Sequence, residues 1–507
     1  MLEQIIRAIR RNATAVLAGA GLALVLPVAA SRIAATPDRP PPEAPAPVPQ
    51  SRVEARTRAD LAAMRRYRPG YAFWQHVFTI RDGSIAFGSA IDGRLLAVFP
   101  ARGDWARNAI WVDPSLARVL DDRPLARDVR DRREQVELLL ERAVGPVLHN
   151  ATRGDALRPN ARRFGSFVAE WGAIYERFGV PADIGLAQAI LESGLSPRRR
   201  SEANAVGFCQ WLQRNWRRLD YFSPTPLDGR NQTTQAPYCA AYLSVLATKY
   251  GSFIPALSEH NAGGTNVGRM LITGEYVGAD DVRARYFLAS ELARGLRGLP
   301  GRTYTTLHGT YGSRSHRYAE MVFGNTLVYR QLIASTYQTP IHAMRTPRAL
   351  SLADIVRRTG LTADEVRRFN PALVDRVPAQ GTLYLPYYIS EFGADVAFWR
   401  RPPGPSYAAV LDDFLALDAG FERWDDPAFE RVLTGFRRRF IDTETEEGAV
   451  MGAVLAYAMD QAYTSSRRTL LSDFRRSQEM RRLIERGMLE LDVVHSARAE
   501  TAAAAAF

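Results

Sequence analysis

Lysine is almost missing from this sequence. Lys249 is the only one in 507 residues, so a formal net charge of +12 rests on arginine. Such a skew reflects composition more than a binding device, although a basic surface suits an acidic polymer or an anionic lipid face. Cysteine is scarce too. Cys209 and Cys239 permit one disulfide or two free thiols, and sequence alone does not choose between them; export would favour the bridge. The seven histidines are scattered, no Cys/His cluster has metal-ligand spacing, and no glycine loop cradles a phosphate, so no metal or cofactor is implied. Neither zinc-finger spacing nor an aromatic RNP signature accompanies the charge, which argues against nucleic acid as a partner. No repeat of solenoid length is present.

What is there begins with one long uncharged run. Residues 13–31 are rich in Ala, Leu, Val and Gly and follow Arg7, Arg10 and Arg11. This reads as a signal peptide with Val28-Ala29-Ala30 as a small-residue cleavage site, or as an uncleaved N-terminal anchor in an inner membrane; residues 1–35 are assigned to it. The basic flank puts the rest of the chain outside the cytoplasm in either case, so an exported, periplasmic protein is expected. Residues 36–50 form a proline-rich linker. Within 51–125, from Tyr71 to Pro100, the pattern turns to short apolar alternations broken at Asp82-Gly83 and Asp92-Gly93. Each of these reads as a hairpin signal, predicting a small β-containing region. Helical spacing returns over 127–148 and 162–178.

The stretch that organises the chain lies at 181–211. Pro181 suits a helix start, Asp183 favours its positive end, and Ile184, Ala187 and Leu191 recur at helical spacing. Glu192 then falls in the last turn of an apolar helix, where both burial and the helix C-terminus disfavour its charge. Its pKa should rise, as a general acid near neutral pH requires. A solvated glutamate at a fraying helix end is the bland alternative, and only its company downstream decides between them. Helices follow at about 236–250, after which Ser252 is a plausible cap, and at 253–260, ending in Asn261-Ala262-Gly263-Gly264. A late helix starts near His316 and carries Tyr318.

Four segments occur in order: Glu192-Ser193-Gly194, then Gly207-Phe208-Cys209-Gln210, then Glu259-His260-Asn261-Ala262-Gly263, and finally Arg317-Tyr318. This order and spacing resemble the catalytic domain of lytic transglycosylases of the soluble and membrane-bound type D kinds, over roughly residues 167–332. The resemblance implies a lysozyme-like α-helical fold that acts on peptidoglycan glycan strands. Glu192 would protonate the leaving oxygen and then act as base toward the substrate's own C6 hydroxyl, giving a 1,6-anhydromuramoyl end. Ser193 and Gln210 would position acetamido groups or the cleft wall, Asn261 would hydrogen-bond in the cleft, and Tyr318 would contact Glu192. Trp211 is kept as a cleft residue that stacks on a sugar. A capping Ser193, a structural Asn261 and a core Tyr318 are the bland readings.

Two departures stand out. The family's Ala-Tyr-Asn is here Glu259-His260-Asn261, and histidine can donate a hydrogen bond and titrate near neutral pH. The methionine of Gly-Leu-Met-Gln is here Cys209; a bridge to Cys239 would brace the cleft wall, and no Cys-His dyad supports Cys209 as a nucleophile.

Residues 345–386 resemble a LysM module, a βααβ fold that binds N-acetylglucosamine-containing glycans. Leu352, Ile355 and Val356 sit on one helix, Val366 and Phe369 on a second capped by Thr362, and 382–386 closes as a strand. The usual opening strand with Gly-Asp-Thr is missing from the motif. A helix-turn-helix pair is the alternative. Residues 391–507 read as a helical C-terminal region with one long polar helix near 469–494.

The expected architecture is therefore mainly α: a lysozyme-like catalytic domain over 126–340, the β-containing region before it, and the LysM-like module and helical region after it. Three functions compete. They are a lytic transglycosylase, a hydrolytic muramidase with Glu259 or Asp220 as second carboxylate, and an inactive wall-binding scaffold.

Overall fold

The computed structural model describes residues 52–121, 123–223, 227, 231–297, 307, 315–379, 381–389, 407, 410–412, 414, 427–441, 446–462 and 465–504. The expected signal or anchor, the proline-rich linker and residues 390–406 lie outside this set. Among the described residues no helix is long and apolar enough to cross a membrane. The described chain is mainly helical.

It opens with helix α1 (Arg52–Tyr67), whose buried Asp60 anchors it to the main body. The Asp60 carboxylate accepts from Ser252 Oγ at 2.6 Å, from the Phe253 amide at 2.7 Å and from Arg283 Nε at 2.6 Å. Helix α2 (Trp74–Thr79) follows and buries Trp74, Val77 and Phe78. Strands β1 (Ser84–Ser89) and β2 (Leu95–Pro100) pair antiparallel around Asp92-Gly93, with Gly93 at φ 76° supplying the left-handed turn residue. Asp82-Gly83 is not a hairpin. The apolar residues before it belong to α2, because packing of Val77 and Phe78 into the core overrides local alternation.

The sheet also outgrows its expected boundary. Strand β3 (Ile110–Trp111) pairs with β2, and helix α3 (Val129–Val144) leads into β4 (Val147–Ala151), which pairs with β1 in the register Phe87 to His149. The four strands run in the order β3-β2-β1-β4, so the β-containing region extends past 125 to Ala151. Its two faces bury different cores. Ile85, Phe87, Ala97 and Phe99 join Trp105 and Leu140 in a satellite cluster that α3 covers, while Ala86 and Leu148 face the main core. This is the period-2 alternation of a sheet covered on both sides.

The main body runs through α4 (Gly154–Phe164), α5 (Val168–Arg177), α6 (Ala182–Ser193), α7 (Gln213–Phe222), α8 (Gln232–Tyr250), α9 (Phe253–Ala262), α10 (Gly264–Tyr276), α11 (Val282–Arg297) and α12 (Tyr318–Ser335). The central α6 packs against both α5 and α12. Asn231 caps α8 and Ser252 caps α9, each through its side-chain oxygen, so α8 begins four residues before its expected start.

A small unit follows. Strand β5 (Ile341–Arg345) pairs antiparallel with β6 (Thr382–Pro386), and between them lie α13 (Leu352–Thr359) and α14 (Ala363–Phe369). The opening strand is thus present without the expected glycine-containing turn, and it begins at Ile341, ahead of the boundary at 345. Thr362 and Glu365 form a reciprocal capping box on α14. The unit leans on the main body through Phe369 against Phe167, ring centroids 5.0 Å apart, and a Tyr384–Thr234 hydroxyl contact at 3.0 Å.

Helices α15 (Pro427–Phe440), α16 (Glu446–Ala462), α17 (Ser465–Arg476) and α18 (Gln478–Ala504) complete the described chain. The single polar helix expected near 469–494 is broken at Ser477, whose hydroxyl accepts from the Met480 amide at 3.2 Å and starts a new helix. These helices are not a separate body, since α16 packs on α7 and α8 and its Val450, Val454 and Tyr457 belong to the main core.

Asp60→Ala should lower unfolding stability by about 3 kcal/mol, because it leaves the Arg283 guanidinium beside a cavity without its acid. Urea melts of wild type and variant measure this. An unchanged midpoint would show that α1 is not anchored through this carboxylate.

Candidate active site

Helix α6 is set by its two ends. Pro181 is the residue just outside the first turn, and Gly194 closes the last turn at φ 60°, in the left-handed region. A Cβ on Gly194 would come within 2.4 Å of the Ala156 carbonyl oxygen, so the helix stops there and the chain turns away. Almost every residue of α6 before the last turn is buried, which leaves Glu192 at the point where the helix meets a cleft. The Glu192 side chain is 16% exposed.

Its partners come from distant parts of the chain. The Tyr318 hydroxyl, at the first position of α12, donates to Glu192 Oε1 at 2.5 Å. Burial raises the Glu192 pKa to about 7, and the Tyr318 hydrogen bond works against that rise by favouring the carboxylate. Tyr318 itself is held well above its usual value, by burial first and then by Glu192. His260 Nε2 stands 3.8 Å from Glu192 Oε1, but this is no ion pair at neutral pH. His260 Nδ1 accepts from Trp211 Nε1 at 3.2 Å, and Nε2 therefore carries the proton it donates to the Cys209 carbonyl at 2.9 Å. Both ring nitrogens are satisfied in the neutral form, and burial pushes the pKa down to about 4. The expectation that His260 titrates near neutral pH is corrected accordingly.

The 207–210 segment forms the adjoining wall. A Cβ on Gly207, at φ 80°, would meet the Gln235 side-chain amide at 2.5 Å, and Gln235 Oε1 accepts the Phe208 amide at 2.7 Å. Ser193 Oγ lies 3.0 Å from both the Ala189 and the Phe208 carbonyl oxygens, so it ties α6 to this wall instead of reaching substrate. Gln210 spends its amide protons on the Arg199 and Gly207 carbonyls, at 2.8 and 3.0 Å, and holds the turn. A disulfide joins Cys209 to Cys239 on α8, both residues buried. Trp211 is corrected most. It is 4% exposed, its ring lies 5.5 Å from that of Tyr457 on α16 in a stacked arrangement, and it offers no face to a sugar.

The cleft at Glu192 has a volume of about 440 Å³. Asn261, which is exposed, lines it with Glu192 and Tyr318, as expected. Sequence reasoning missed most of the other polar and aromatic lining: Trp74 and Phe78 from α2, Asn150 and Arg153 from the end of the sheet, and Arg294 and His316. Only the Arg317-Tyr318 pair carried a sequence signal; the others belong to no motif and are brought in by folding.

Among the described residues Glu192 is the only acid lining this cleft. Neither expected second carboxylate is here. Glu259 is buried against Lys249 Nζ at 2.8 Å and accepts from the Tyr250 hydroxyl. Asp220 accepts the Leu227 amide at 2.8 Å and lines a separate, larger hollow of about 630 Å³, with Arg198, Arg199, Arg200 and Arg217, that does not include Glu192. That hollow is larger but contains neither Glu192 nor Tyr318. Among the described residues no three His, Cys, Asp or Glu side chains are grouped to hold a metal ion. The arrangement can deliver a proton at neutral pH and take one back. Comparison of the chain with protein-family models and with curated proteins returns no match.

Tyr318→Phe removes the one hydrogen bond that favours the Glu192 carboxylate, so the Glu192 pKa should move upward from about 7. Carbon-13 NMR titration of glutamate side chains measures it. A downward shift would reverse the assigned role of the hydroxyl.

Proposed function

We propose that this chain is a peptidoglycan lytic transglycosylase that cleaves the MurNAc–GlcNAc bond and leaves 1,6-anhydromuramoyl ends. The observation that carries the reading is a largely buried carboxyl group with its pKa raised to about 7, the only acid lining its cleft among the described residues. An acid half-protonated at neutral pH can give a proton to the glycosidic oxygen as the bond breaks. The resulting carboxylate, steadied by the Tyr318 hydroxyl, then takes the proton of the sugar's own C6 hydroxyl as that oxygen closes on C1. A hydrolytic route would need a second carboxylate to activate water or bond to the sugar. The residues nominated for that task, Glu259 and Asp220, are engaged elsewhere, which favours the intramolecular route over a muramidase. The neutral His260 adds no positive charge of its own beside the carboxyl at neutral pH.

The sequence supports the rest of the reading. The basic-then-apolar N-terminus fits export to the periplasm, as a cleaved signal or an inner-membrane tether. The unit at 341–389, with its strand–helix–helix–strand order, fits a LysM-like module that holds glycan near the cleft.

Two outcomes are expected of Glu192→Gln. Digestion of purified sacculi should fall by about 10²–10⁴-fold, the worth of a general acid, and wild-type products should carry anhydro ends by mass spectrometry. Reducing ends would point to hydrolysis, and equal activity in the two proteins would remove Glu192 from the mechanism. Wild-type kcat/KM should fall as pH rises through about 7, where Glu192 loses its proton. The second outcome concerns stability. The folded state binds the Glu192 proton more tightly than the unfolded chain, so ionisation costs native stability progressively from the usual value of 4.5 up to about 7. Glu192→Gln should therefore gain about 3 kcal/mol at pH 8 relative to pH 4; a gain that does not vary with pH would show that burial of the charge is not the cause.

A further inference from the structure

Around the acid the cleft is strongly cationic. Arg153, Arg294 and Arg317 all line it. Beneath Arg294 and Arg317 lies a cluster of unequal charge. Arg68, 7% exposed, pairs with Glu291 and, at 3.5 Å, with Glu320. Arg294 pairs with the other oxygen of Glu291 at 3.0 Å, and Glu320 also accepts from Trp74 Nε1 at 2.9 Å. Arg294 is repelled by both Arg68 and Arg317. Two of the three guanidiniums thus take up both carboxylates, and the third, Arg317, has no carboxylate partner among the described residues. Arg317 is half-buried and sits just ahead of Tyr318, so it is fixed in place by the same helix start that aims the hydroxyl at Glu192. A partly desolvated, unpaired guanidinium is costly in the empty protein and is relieved by an anion. A cleft for a neutral sugar chain has no use for this excess.

We propose that Arg317, with Arg294 beside it, is a carboxylate-binding subsite, and that the cleft takes glycan strands bearing carboxylates in preference to uncharged ones. This rests on the reading of the cleft as a peptidoglycan site. In an intact strand the carboxylates belong to the stem peptide, because the muramoyl lactyl group is amide-linked; in a strand stripped of peptide the lactyl carboxylate itself is free. The planar guanidinium fork suits either, and binds it bidentately.

The test crosses a protein change with a substrate change. Sacculi are used as purified and after carbodiimide coupling to methylamine, which neutralises their carboxylates. Wild type should lose about tenfold or more in KM on the neutralised substrate, the worth of one charge-assisted hydrogen bond, with kcat little altered. Arg317→Gln should show that raised KM on native sacculi and no further loss on neutralised ones, while Arg317→Lys recovers part of the affinity. A melting curve like that of wild type shows that Arg317→Gln is folded. If it is not, Arg317→Lys alone carries the comparison, and its response to neutralisation should be smaller than that of wild type. Equal losses on neutralisation for wild type and both variants would overturn the subsite. Amidase-stripped strands assign the source: affinity retained points to the lactyl carboxylate, and affinity lost points to the stem peptide. Failure of the subsite is distinct from failure of the mechanism. In the first case Glu192→Gln is inactive and only the Arg317 response is missing; in the second Glu192→Gln is as active as wild type.

Discussion

The site depends on one unfavourable placement, a carboxyl group held out of water at the end of a buried helix. Ionising Glu192 there is penalised by lost hydration, and one hydrogen bond from Tyr318 returns only part of it. Everything nearby keeps that balance. Gly194 ends α6 before the helix can carry the side chain past the cleft, Ser193 pins the last turn to the 207–210 wall, and His260 is locked neutral so that it adds no charge. A protonated His260 at 3.8 Å would pull the Glu192 pKa back toward the ordinary range and spoil the acid.

The wall is supported from far along the chain. His260 is oriented by Trp211, and Trp211 is stacked on Tyr457 of α16, a helix that lies beyond the small βααβ unit in sequence. Arg218 reinforces the same contact by a two-point pairing with Asp460. The described C-terminal helices are thereby structural parts of the body that carries Glu192. At the other end, α1 is fastened through Asp60, and the sheet delivers Asn150 and Arg153 to the cleft rim. The lone lysine serves the same body: Lys249 neutralises Glu259 in the interior, one residue before the histidine that borders the acid.

How much of this was legible follows from the range of the interactions. Helix α6, its glycine stop and the elevated acid could be read because apolar spacing, a C-terminal glycine and a late glutamate are all local signals. The caps at Ser252 and Thr362 were legible for the same reason. Trp211 was misjudged, since an aromatic beside the Gly207–Gln210 turn looks alike in sequence whether it faces a sugar or another ring. The Asp82-Gly83 hairpin was misjudged because the apolar residues before it suit a strand, yet Val77 and Phe78 find a better home in a helix against α12. Gln235, Trp74 and Arg294 carry no local mark of function; their roles appear only when chain segments meet.

What the sequence by itself determined, then, was a glutamate in the last turn of an apolar helix, the extent of that helix and the order of the segments around it. Helix periodicity, capping and chain punctuation act over a few residues and are written where they act. The tertiary structure alone decided how far Glu192 would be withdrawn from water, whether His260 would be charged and where Arg317 would stand. Those are properties of electrostatic environment, and environment is set by side chains that lie tens to hundreds of residues apart until folding brings them together.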